Sequence, residues 1–494
     1  MDEPGPDPDG GAPRRYLSTR DVREHQLVHA VWELTLACNL KCRHCGSRAG
    51  AKRPEELTTQ ECLEVVRQLH TMGTREVTLI GGEAYLRADW LEIVRAVSDA
   101  GMQCTLQTGA WQLTDARIAR AAEAGLVACG VSVDGPAALH DHLRGRPGSF
   151  DAAVGALGRL RAHGIRTSVN TQITAAVIPH LRDLLGEFLA LGVSNWQVQL
   201  TVAMGRAADH HELLMQPYQM IELMPLLAEL HTAGLAGGLL LQPGNNIGYF
   251  GPYEAQLRGN GAEATHWAGC FAGRNVLGIE ADGTIKGCPS LPTTAYAGGN
   301  VRDARIAELW ASAPELSFAR ESRARELWGF CAGCYYADVC EGGCTWTSHS
   351  LLGRPGNNPY CHHRALELRK QGKRERVVQE LPAPGTSFDH GRFAVVVEPD
   401  PDAGPELDPD AGRPVATPEA HGPAPRPVRA HADPRLRSLV SCRGCDCYVF
   451  SGTEVCPHCG TDAPARAPEY GRALGDARRA SARLTRIMRA PERD

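Results

Sequence analysis

The sequence predicts an α/β protein. Its core is an open, partial parallel (β/α)6 barrel, followed by a small cysteine-rich domain and a C-terminal metal-binding module. Three observations support this fold class. Short β-branched runs alternate with amphipathic helices six times between residues 28 and 200, the cysteines cluster at regular spacings, and a proline-rich stretch precedes the last cluster. Six strand–helix units favour an open barrel over a closed eight-stranded one, and they place ligands at the carboxyl ends of the strands.

Composition excludes several classes of protein. A chain of 494 residues is long enough for roughly two to four domains, and its net charge of −5 lacks the basic excess of a nucleic-acid-binding protein. No apolar run of about 18 residues is present, and the polar first twenty residues lack the apolar segment of a secretory signal. We therefore predict a cytoplasmic protein with no membrane span. Its 18 cysteines then favour metal binding over disulfides.

The predicted strands cover residues 29–36, 76–80, 103–108, 126–133, 166–173 and 194–200. After the first strand, Thr58 and Glu61 form a capping box, and apolar residues then recur with helical spacing until Gly73 ends the helix. A second clear helix is predicted over residues 150–164, with Ser149 as its N-cap. These patterns support the predicted alternation of strands and helices.

The first cysteine cluster, Cys38, Cys42 and Cys45, directly follows the first strand as Cx3Cx2C. A structural zinc site normally has four ligands, whereas three thiolates on one loop suit a 4Fe–4S cluster with one open iron. The loop resembles that of the radical S-adenosylmethionine (SAM) superfamily, in which the open iron binds SAM. His44 stands where that family usually has an aromatic residue. A structural zinc knuckle is the alternative.

Segments at later strand ends also resemble this family. Gly81-Gly82-Glu83 follows the second strand and resembles the family's GGE motif, which binds the SAM amino group. The two glycines allow a close backbone approach to this ammonium group, and Glu83 supplies a negative partner. The stretches VSVDGP and HDHLRGRPGSF resemble the parts that contact the SAM ribose and carboxylate. Where relatives often read Thr-Asn-Gly, this chain reads Thr-Gly-Ala after the third strand, so that Asn contact is absent. The resemblance thus implies these SAM-binding residues: Gly81, Gly82, Glu83, Thr108, Ser132, Asp134 and Arg144.

The second group of seven cysteines resembles the SPASM extension of radical SAM enzymes, which holds two auxiliary 4Fe–4S clusters. The resemblance assigns Cys331, Cys334, Cys340 and Cys361 to the second auxiliary cluster. It assigns Cys270, Cys288 and Cys344 to the first, which would leave an open iron or take a ligand such as His266. Two zinc sites are the alternative. Trp328, Tyr335 and Tyr336 flank these cysteines, and we expect them to shield a cluster from solvent.

The third cysteine cluster has the spacing of a zinc ribbon, with Cys442, Cys445, Cys456 and Cys459 in two CxxC pairs and Cys447 left over. The ribbon would either dock a partner or the substrate, or be a zinc-stabilised fold with no catalytic part. Rubredoxin-like iron in place of zinc is a further alternative.

Composition shifts set the predicted domain limits. Residues 398–434 contain ten prolines and few large apolar side chains, which is typical of a linker. The predicted parts are a disordered arm (1–22), the radical SAM core (23–225), the SPASM domain with bridging segments (226–397), the linker (398–434), the zinc-ribbon-like module (435–465) and an Arg-rich helical tail (466–494).

The resemblance implies a radical SAM/SPASM oxidoreductase of peptide-maturase type. Such an enzyme reductively cleaves SAM to a 5′-deoxyadenosyl radical and then crosslinks, epimerises or oxidises a ribosomally made peptide or a protein side chain. The implied partners are that substrate and an electron donor such as flavodoxin or ferredoxin. Because the 22-residue arm has no room for a leader-binding domain, we expect leader recognition by a separate protein or by the C-terminal region. The alternatives are haem-type or quinone cofactor synthesis and sulfatase maturation. An iron–sulfur electron carrier or a zinc-ribbon scaffold would be non-enzymatic, but neither needs a SAM pocket.

Overall fold

The structure is a computed structural model that describes residues 17–258, 266–402 and 439–465. These residues form two compact units. The first unit comprises residues 17–170, 271–321 and 385–389, and the second comprises residues 171–258, 266–270, 322–384, 390–402 and 439–465. None of the helices in this described part combines the length and apolar content that a membrane crossing requires.

The strands, in chain order, are β1 (His29–Thr35), β2 (Glu76–Gly81), β3 (Gln103–Thr108), β4 (Leu126–Ser132), β5 (Arg166–Ile173), β6 (Asn195–Leu200), β7 (Leu240–Pro243), β8 (Val276–Ile279), β9 (Thr284–Lys286), β10 (Ala297–Asn300), β11 (Lys373–Leu381), β12 (Arg392–Pro399), β13 (Leu439–Ser441) and β14 (Tyr448–Phe450). The six strands predicted for the barrel are therefore all present, within two residues of their predicted ends.

The helices are α1 (Thr19–Glu24), α2 (Thr59–Thr71), α3 (Trp90–Asp99), α4 (Asp115–Glu123), α5 (Ala137–Arg144), α6 (Ser149–Ala162), α7 (Leu181–Ala190), α8 (Arg206–Asp209), α9 (Met220–Ala236), α10 (Glu254–Arg258), α11 (Thr293–Tyr296), α12 (Ile306–Ser312), α13 (Pro314–Ser317), α14 (Phe330–Gly333), α15 (Ala337–Cys340), α16 (Thr345–Leu352) and α17 (His362–Arg369).

The first unit is organised around a parallel sheet. Strands β1 to β5 pair in sequence order, and β8 pairs in parallel with the other side of β1. The antiparallel strands β9 and β10 complete that edge. Strand β1 is central, and its apolar residues Ala30, Trp32 and Leu34 are buried. Because the strands are parallel, their carboxyl ends bring the loops after β1 to β4 to one edge.

In the second unit, β6 pairs with β7 in parallel, while β11–β12 and β13–β14 are antiparallel pairs. The predicted limit at residue 225 falls inside α9. Residues 271–321, predicted as part of the SPASM domain, belong to the first unit because β8 extends its sheet. Strand β12 also continues to Pro399, two residues into the predicted linker.

Two local predictions need correction. Residues 19–22 of the predicted disordered arm belong to α1, because Ser18 and Asp21 form a capping box and Asn275 donates a hydrogen bond to the Asp21 carbonyl. Ser149 lies inside α6 and is not its N-cap. The Asp141 carboxylate accepts hydrogen bonds from the Gly148 and Phe150 amides at this helix start. The capping box of α2 is confirmed. Residues 1–16, most of the linker (403–434) and the Arg-rich tail (466–494) lie outside the described residues.

Candidate functional site

The loop after β1 is fixed by backbone hydrogen bonds on both sides of its three cysteines. The Cys38 amide donates to the Gly50 carbonyl at 2.9 Å, and the Arg43 amide donates to the Leu143 carbonyl at 2.8 Å. Cys42 is buried, and Cys38 and Cys45 are half-buried. This placement brings the three thiols to the carboxyl end of β1, where the sequence predicted them.

These three thiols interact electrostatically but do not surround a single ion. Burial is the main cause that raises the pKa of Cys38 to about 12, and Glu83, Cys42 and Cys45 add to it. In the described residues, three or more candidate ligand atoms lie within 4.8 Å of one another at two places, and neither is this loop. In an iron–sulfur cluster each thiolate binds a different iron, so its sulfurs lie further apart than around one zinc ion. The loop therefore fits a cluster better than a zinc knuckle.

Glycines join this loop to β2. The Gly82 amide donates to the Thr35 carbonyl at 2.8 Å, and the Glu83 amide donates to the Ala37 carbonyl at 2.8 Å. A Cβ atom at Gly81 or Gly82 would collide with these same backbone segments. The two glycines thus allow a close approach between β2 and the cysteine loop.

Glu83 lies beyond the glycines and is buried. Its carboxylate accepts hydrogen bonds from the Thr108 hydroxyl and, at 2.7 Å, from the Gly109 amide. Burial raises the pKa of Glu83 to about 7, although these hydrogen bonds and Arg144 lower it. A cationic group placed here would offset the cost of burying the charge, so the site fits a ligand ammonium.

Asp134 and Arg144 form a buried ion pair beside the same loop. The Arg144 Nη2 atom lies 2.5 Å from Asp134 Oδ2, and His44 Nε2 lies 3.1 Å from the same oxygen. Burial would raise the pKa of Asp134, but the charges of Arg144 and His44 outweigh burial and hold it well below its usual range. Arg144 Nη1 also lies 3.8 Å from Cys42 Sγ, so this guanidinium links the carboxylate to the cysteine loop.

Two buried nitrogen atoms near this pair are available to a bound ligand. Arg144 Nε and His44 Nδ1 are buried and have no hydrogen-bond partner within the described part of the chain. Ser132, half-buried at the end of β4, is paired in register with Asn170 of β5. Sequence reasoning gave no role to His140, whose Nδ1 accepts a hydrogen bond from the Asp134 amide at 3.0 Å. Burial lowers the pKa of His140 to about 4, so its ring is neutral. The only sign of this residue in the sequence was its position before Arg144 in the HDHLRGRPGSF stretch.

The cysteines assigned to the second auxiliary cluster meet within the second unit. Burial raises the pKa of Cys331, Cys334, Cys340 and Cys361, and the nearby Cys331 thiol adds to the shifts of the other three. No three of these four thiols lie within 4.8 Å of one another, so a shared cluster again fits better than zinc. For the first auxiliary cluster, Cys270 and Cys344 belong to the second unit and Cys288 belongs to the first. His266 lies beside Tyr448 at a ring-centroid distance of 5.4 Å.

The C-terminal cysteines are arranged differently. Their four sulfurs all lie within 4.8 Å of one another, with Cys442 and Cys459 at 3.8 Å and Cys445 and Cys456 also at 3.8 Å. Four thiols this close fit one tetrahedral metal ion. A second group at this spacing, which the sequence analysis missed, is His363, Glu367 and His458. Its first two members are four residues apart on α17, but Glu367 is already paired with Lys370 at 2.8 Å.

Two family models match this chain. The model described as "Radical SAM superfamily" matches residues 32–183, which run from β1 into α7. The SPASM model, described as "Iron-sulfur cluster-binding domain", matches residues 270–335.

The curated relatives include proteins with three different names. A "Mycofactocin maturase MftC" of Mycobacterium ulcerans is 31% identical over 383 residues, which cover 75% of this chain and 96% of that protein. An "AdoMet-dependent heme synthase" of Oleidesulfovibrio alaskensis is 29% identical over 67% of this chain and 86% of that protein. A "Pre-heme d1 synthase" of Dinoroseobacter shibae is 27% identical over 68% of this chain and 86% of that protein.

Solved structures show the same fold. SuiB of Streptococcus suis bound to S-adenosylmethionine has a TM-score of 0.55 at 16% identity, over 69% of this chain and 78% of that chain. Native anSMEcpe with bound AdoMet has a TM-score of 0.54 at 17% identity, over 69% of this chain and 95% of that chain. These similarities confirm the predicted partial barrel.

The match to the Mycobacterium ulcerans protein, together with the two family models, also confirms that the chain is an enzyme. Its family implies SAM binding and 4Fe–4S clusters, and the residues at the ends of β1 to β4 fit both. The chain belongs to the radical SAM superfamily and carries a SPASM iron–sulfur cluster-binding domain.

Proposed function

We propose that this enzyme is a maturase that crosslinks, epimerises or oxidises a ribosomally made peptide or a protein side chain. The observation that carries the proposal is the alignment with mycofactocin maturase MftC, which extends over 96% of that protein at 31% identity. Two neighbours in fold support it, since SuiB has been solved with the precursor peptide SuiA and anSMEcpe with a peptide named Cp18Cys.

In this proposal Cys38, Cys42 and Cys45 hold the SAM-binding cluster. Burial raises the pKa of Cys42, and the Arg144 guanidinium near it offsets part of that cost. The cluster with SAM supplies a one-electron reductive cleavage that yields a 5′-deoxyadenosyl radical, and an electron donor such as flavodoxin or ferredoxin would provide the electron. The protein contributes binding, orientation and exclusion of water.

The remaining strand ends would orient SAM. Glu83 is the partner for its amino group, held by Thr108 and Gly109, while Gly81 and Gly82 let the loops approach. The unpartnered Arg144 Nε atom is a donor for its carboxylate, and Asp134 holds that guanidinium in place. Ser132 would contact the ribose, as the family resemblance implies. Cys331, Cys334, Cys340 and Cys361 would hold the second auxiliary cluster, and Cys270, Cys288 and Cys344 the first.

A haem-type cofactor synthase is the second candidate, because relatives named AdoMet-dependent heme synthase and Pre-heme d1 synthase align over two thirds of this chain. The two candidates differ in substrate, a peptide against a tetrapyrrole precursor.

The test offers both substrates to the anaerobically reconstituted enzyme. The peptide should be a short translated reading frame encoded beside this gene, and the tetrapyrrole a haem precursor. We expect a mass change in the peptide that requires SAM and reductant and is lost in Cys42→Ala. A matched control is Cys62→Ala, which removes a buried thiol of α2. Turnover of the tetrapyrrole with an unchanged peptide would overturn the proposal.

A further inference from the structure

The C-terminal module, defined here as residues 439–465, packs its hairpin directly against the auxiliary-cluster cysteines of the second unit. Tyr448 and Phe450 of β14 are buried in one apolar cluster with Tyr336 and Cys340, and that cluster also contacts Cys334 and Cys361. Val449, between the two aromatic residues, points the other way and packs with Cys442 and Cys456. Because side chains alternate along a strand, β14 presents one face to each four-cysteine site.

Tyr336 is the main link between the two sites. Its amide donates to Cys334 Sγ at 3.4 Å, and its hydroxyl donates to the Tyr448 carbonyl at 2.6 Å. The same hydroxyl oxygen lies 2.8 Å from His458 Nε2. Because the hydroxyl proton is already donated to the Tyr448 carbonyl, the oxygen can accept a hydrogen bond from the His458 Nε2–H group. His458 stands between Cys456 and Cys459. One tyrosine therefore contacts a ligand sulfur of one site and the ligand loop of the other.

Further contacts hold the module down. The ring of Tyr336 stacks on Phe250 at 4.2 Å between centroids and is nearly parallel to the His458 ring at 5.6 Å. The Phe450 amide donates to the Tyr335 hydroxyl at 3.1 Å, and Lys370 Nζ donates to the His458 carbonyl at 3.2 Å. As a result Tyr336 is only 1% exposed. Trp328, also predicted to shield the cluster, has the Arg354 guanidinium 3.8 Å from its ring centroid.

The module has little to hold it together apart from its metal site. Its own core consists of Cys442, Val449 and Cys456, and its strands β13 and β14 have three residues each. A core this small does not stabilise a fold without a metal ion or disulfides. A metal ion held by the four C-terminal thiols would therefore control whether β14 keeps its shape.

We propose that the C-terminal module is a cap on the second auxiliary cluster, held closed by its own metal ion, and that this cap limits access of water and oxygen to the cluster. The proposal rests on the assignment of that cluster to Cys331, Cys334, Cys340 and Cys361 in the proposed function. Closing the cap also lowers the cluster's reduction potential, because reduction adds a negative charge that a buried site disfavours.

The test uses the full chain in a background with Cys38, Cys42 and Cys45 changed to Ala, which leaves only auxiliary clusters. In this background Cys442→Ser with Cys456→Ser removes two ligands of the module. We expect several-fold faster bleaching of the cluster absorbance in air and a midpoint potential shifted to more positive values in an electron paramagnetic resonance titration. The control, Cys447→Ala, removes a buried thiol of the same module outside the four-thiol group and should change neither.

A milder variant guards against misfolding. Tyr336→Phe keeps the ring but removes the hydroxyl that joins Tyr448 and His458, and we expect faster amide hydrogen exchange in residues 439–465 with the iron content unchanged. If the double variant bleaches in air at the same rate and has the same midpoint potential as the background protein, the proposal of a cap is wrong, while the proposed function is unaffected. If the background protein itself binds no auxiliary iron, both the cap and the auxiliary-cluster assignment are wrong.

Discussion

Replacing Glu83 with Gln tests the binding of SAM by a change of a single charge. Gln keeps the size of the side chain, and its single amide oxygen can still accept from the Gly109 amide. The Thr108 hydroxyl, which donates to the other Glu83 oxygen, would then accept from the Gln NH2 group instead. What it removes is the negative charge that we assign to the SAM amino group. A hydrogen bond between charged groups contributes about 1.5–3 kcal/mol, so the dissociation constant for SAM should rise roughly 10- to 150-fold.

The pH dependence gives a second, independent signature. Burial raises the pKa of Glu83 to about 7, so the ionised form that an ammonium prefers is scarce below that pH in the unliganded protein. SAM affinity of the wild-type enzyme should therefore rise by up to about tenfold per pH unit as the pH approaches 7, and then level off. The Glu83→Gln variant should show no such rise, since it has no group to ionise there.

Isothermal titration calorimetry of SAM with the reconstituted, unreduced enzyme measures both effects. Glu64→Gln is a matched control, because Glu64 is an exposed carboxylate of α2 in the same unit that pairs with Arg67. It should bind SAM as the wild type does. If Glu83→Gln binds SAM within about twofold of the wild type, or keeps the wild-type pH profile, the assignment of Glu83 to the amino group is wrong.

Other predictions concern the cluster loop and the metal content. Asp134→Asn leaves the buried Arg144 guanidinium without its charge partner, and should cost about 3–5 kcal/mol of unfolding free energy, measured by urea denaturation of the apo chain; no loss of stability would show that the pair is not required. Gly82→Ala places a methyl group against the Ala37 carbonyl, so we expect loss of iron from the SAM-binding cluster in a C331A/C334A background, whereas Gly158→Ala on the open face of α6 should retain it. Reconstituted wild type should contain about twelve iron atoms and about one zinc ion per chain by plasma mass spectrometry. About four iron atoms with three zinc ions would contradict the SPASM assignment.

The sequence was sufficient for the barrel because short runs containing β-branched residues alternate with clearly amphipathic helices. The cysteine sets could be grouped because their spacing is local. The return of β8 to the first unit could not be predicted, since Val276–Ile279 is a four-residue strand whose partner β1 lies more than 240 residues earlier. Long-range pairings of short strands leave no periodic signal.

Side-chain partners were also hidden from the sequence. Arg144 was expected to meet the SAM carboxylate, but its pairing with Asp134 and its approach to Cys42 depend on how α5 packs against the cysteine loop. The packing of Tyr448 and Phe450 on the SPASM cysteines could not be found either, because the proline-rich linker separates the two in sequence. The spacing of Cys442 to Cys459 indicated a metal site but not the surface that it covers.

The most direct test of the central claim is to follow hydrogen from the substrate. The reduced enzyme is incubated with SAM and with a perdeuterated form of the peptide encoded beside its gene, and 5′-deoxyadenosine is analysed by mass spectrometry. We predict deuterium in 5′-deoxyadenosine together with a matching mass change in the peptide. Unlabelled 5′-deoxyadenosine and an unchanged peptide, with deuterium transferred from a labelled tetrapyrrole instead, would contradict the claim that this enzyme acts on a peptide.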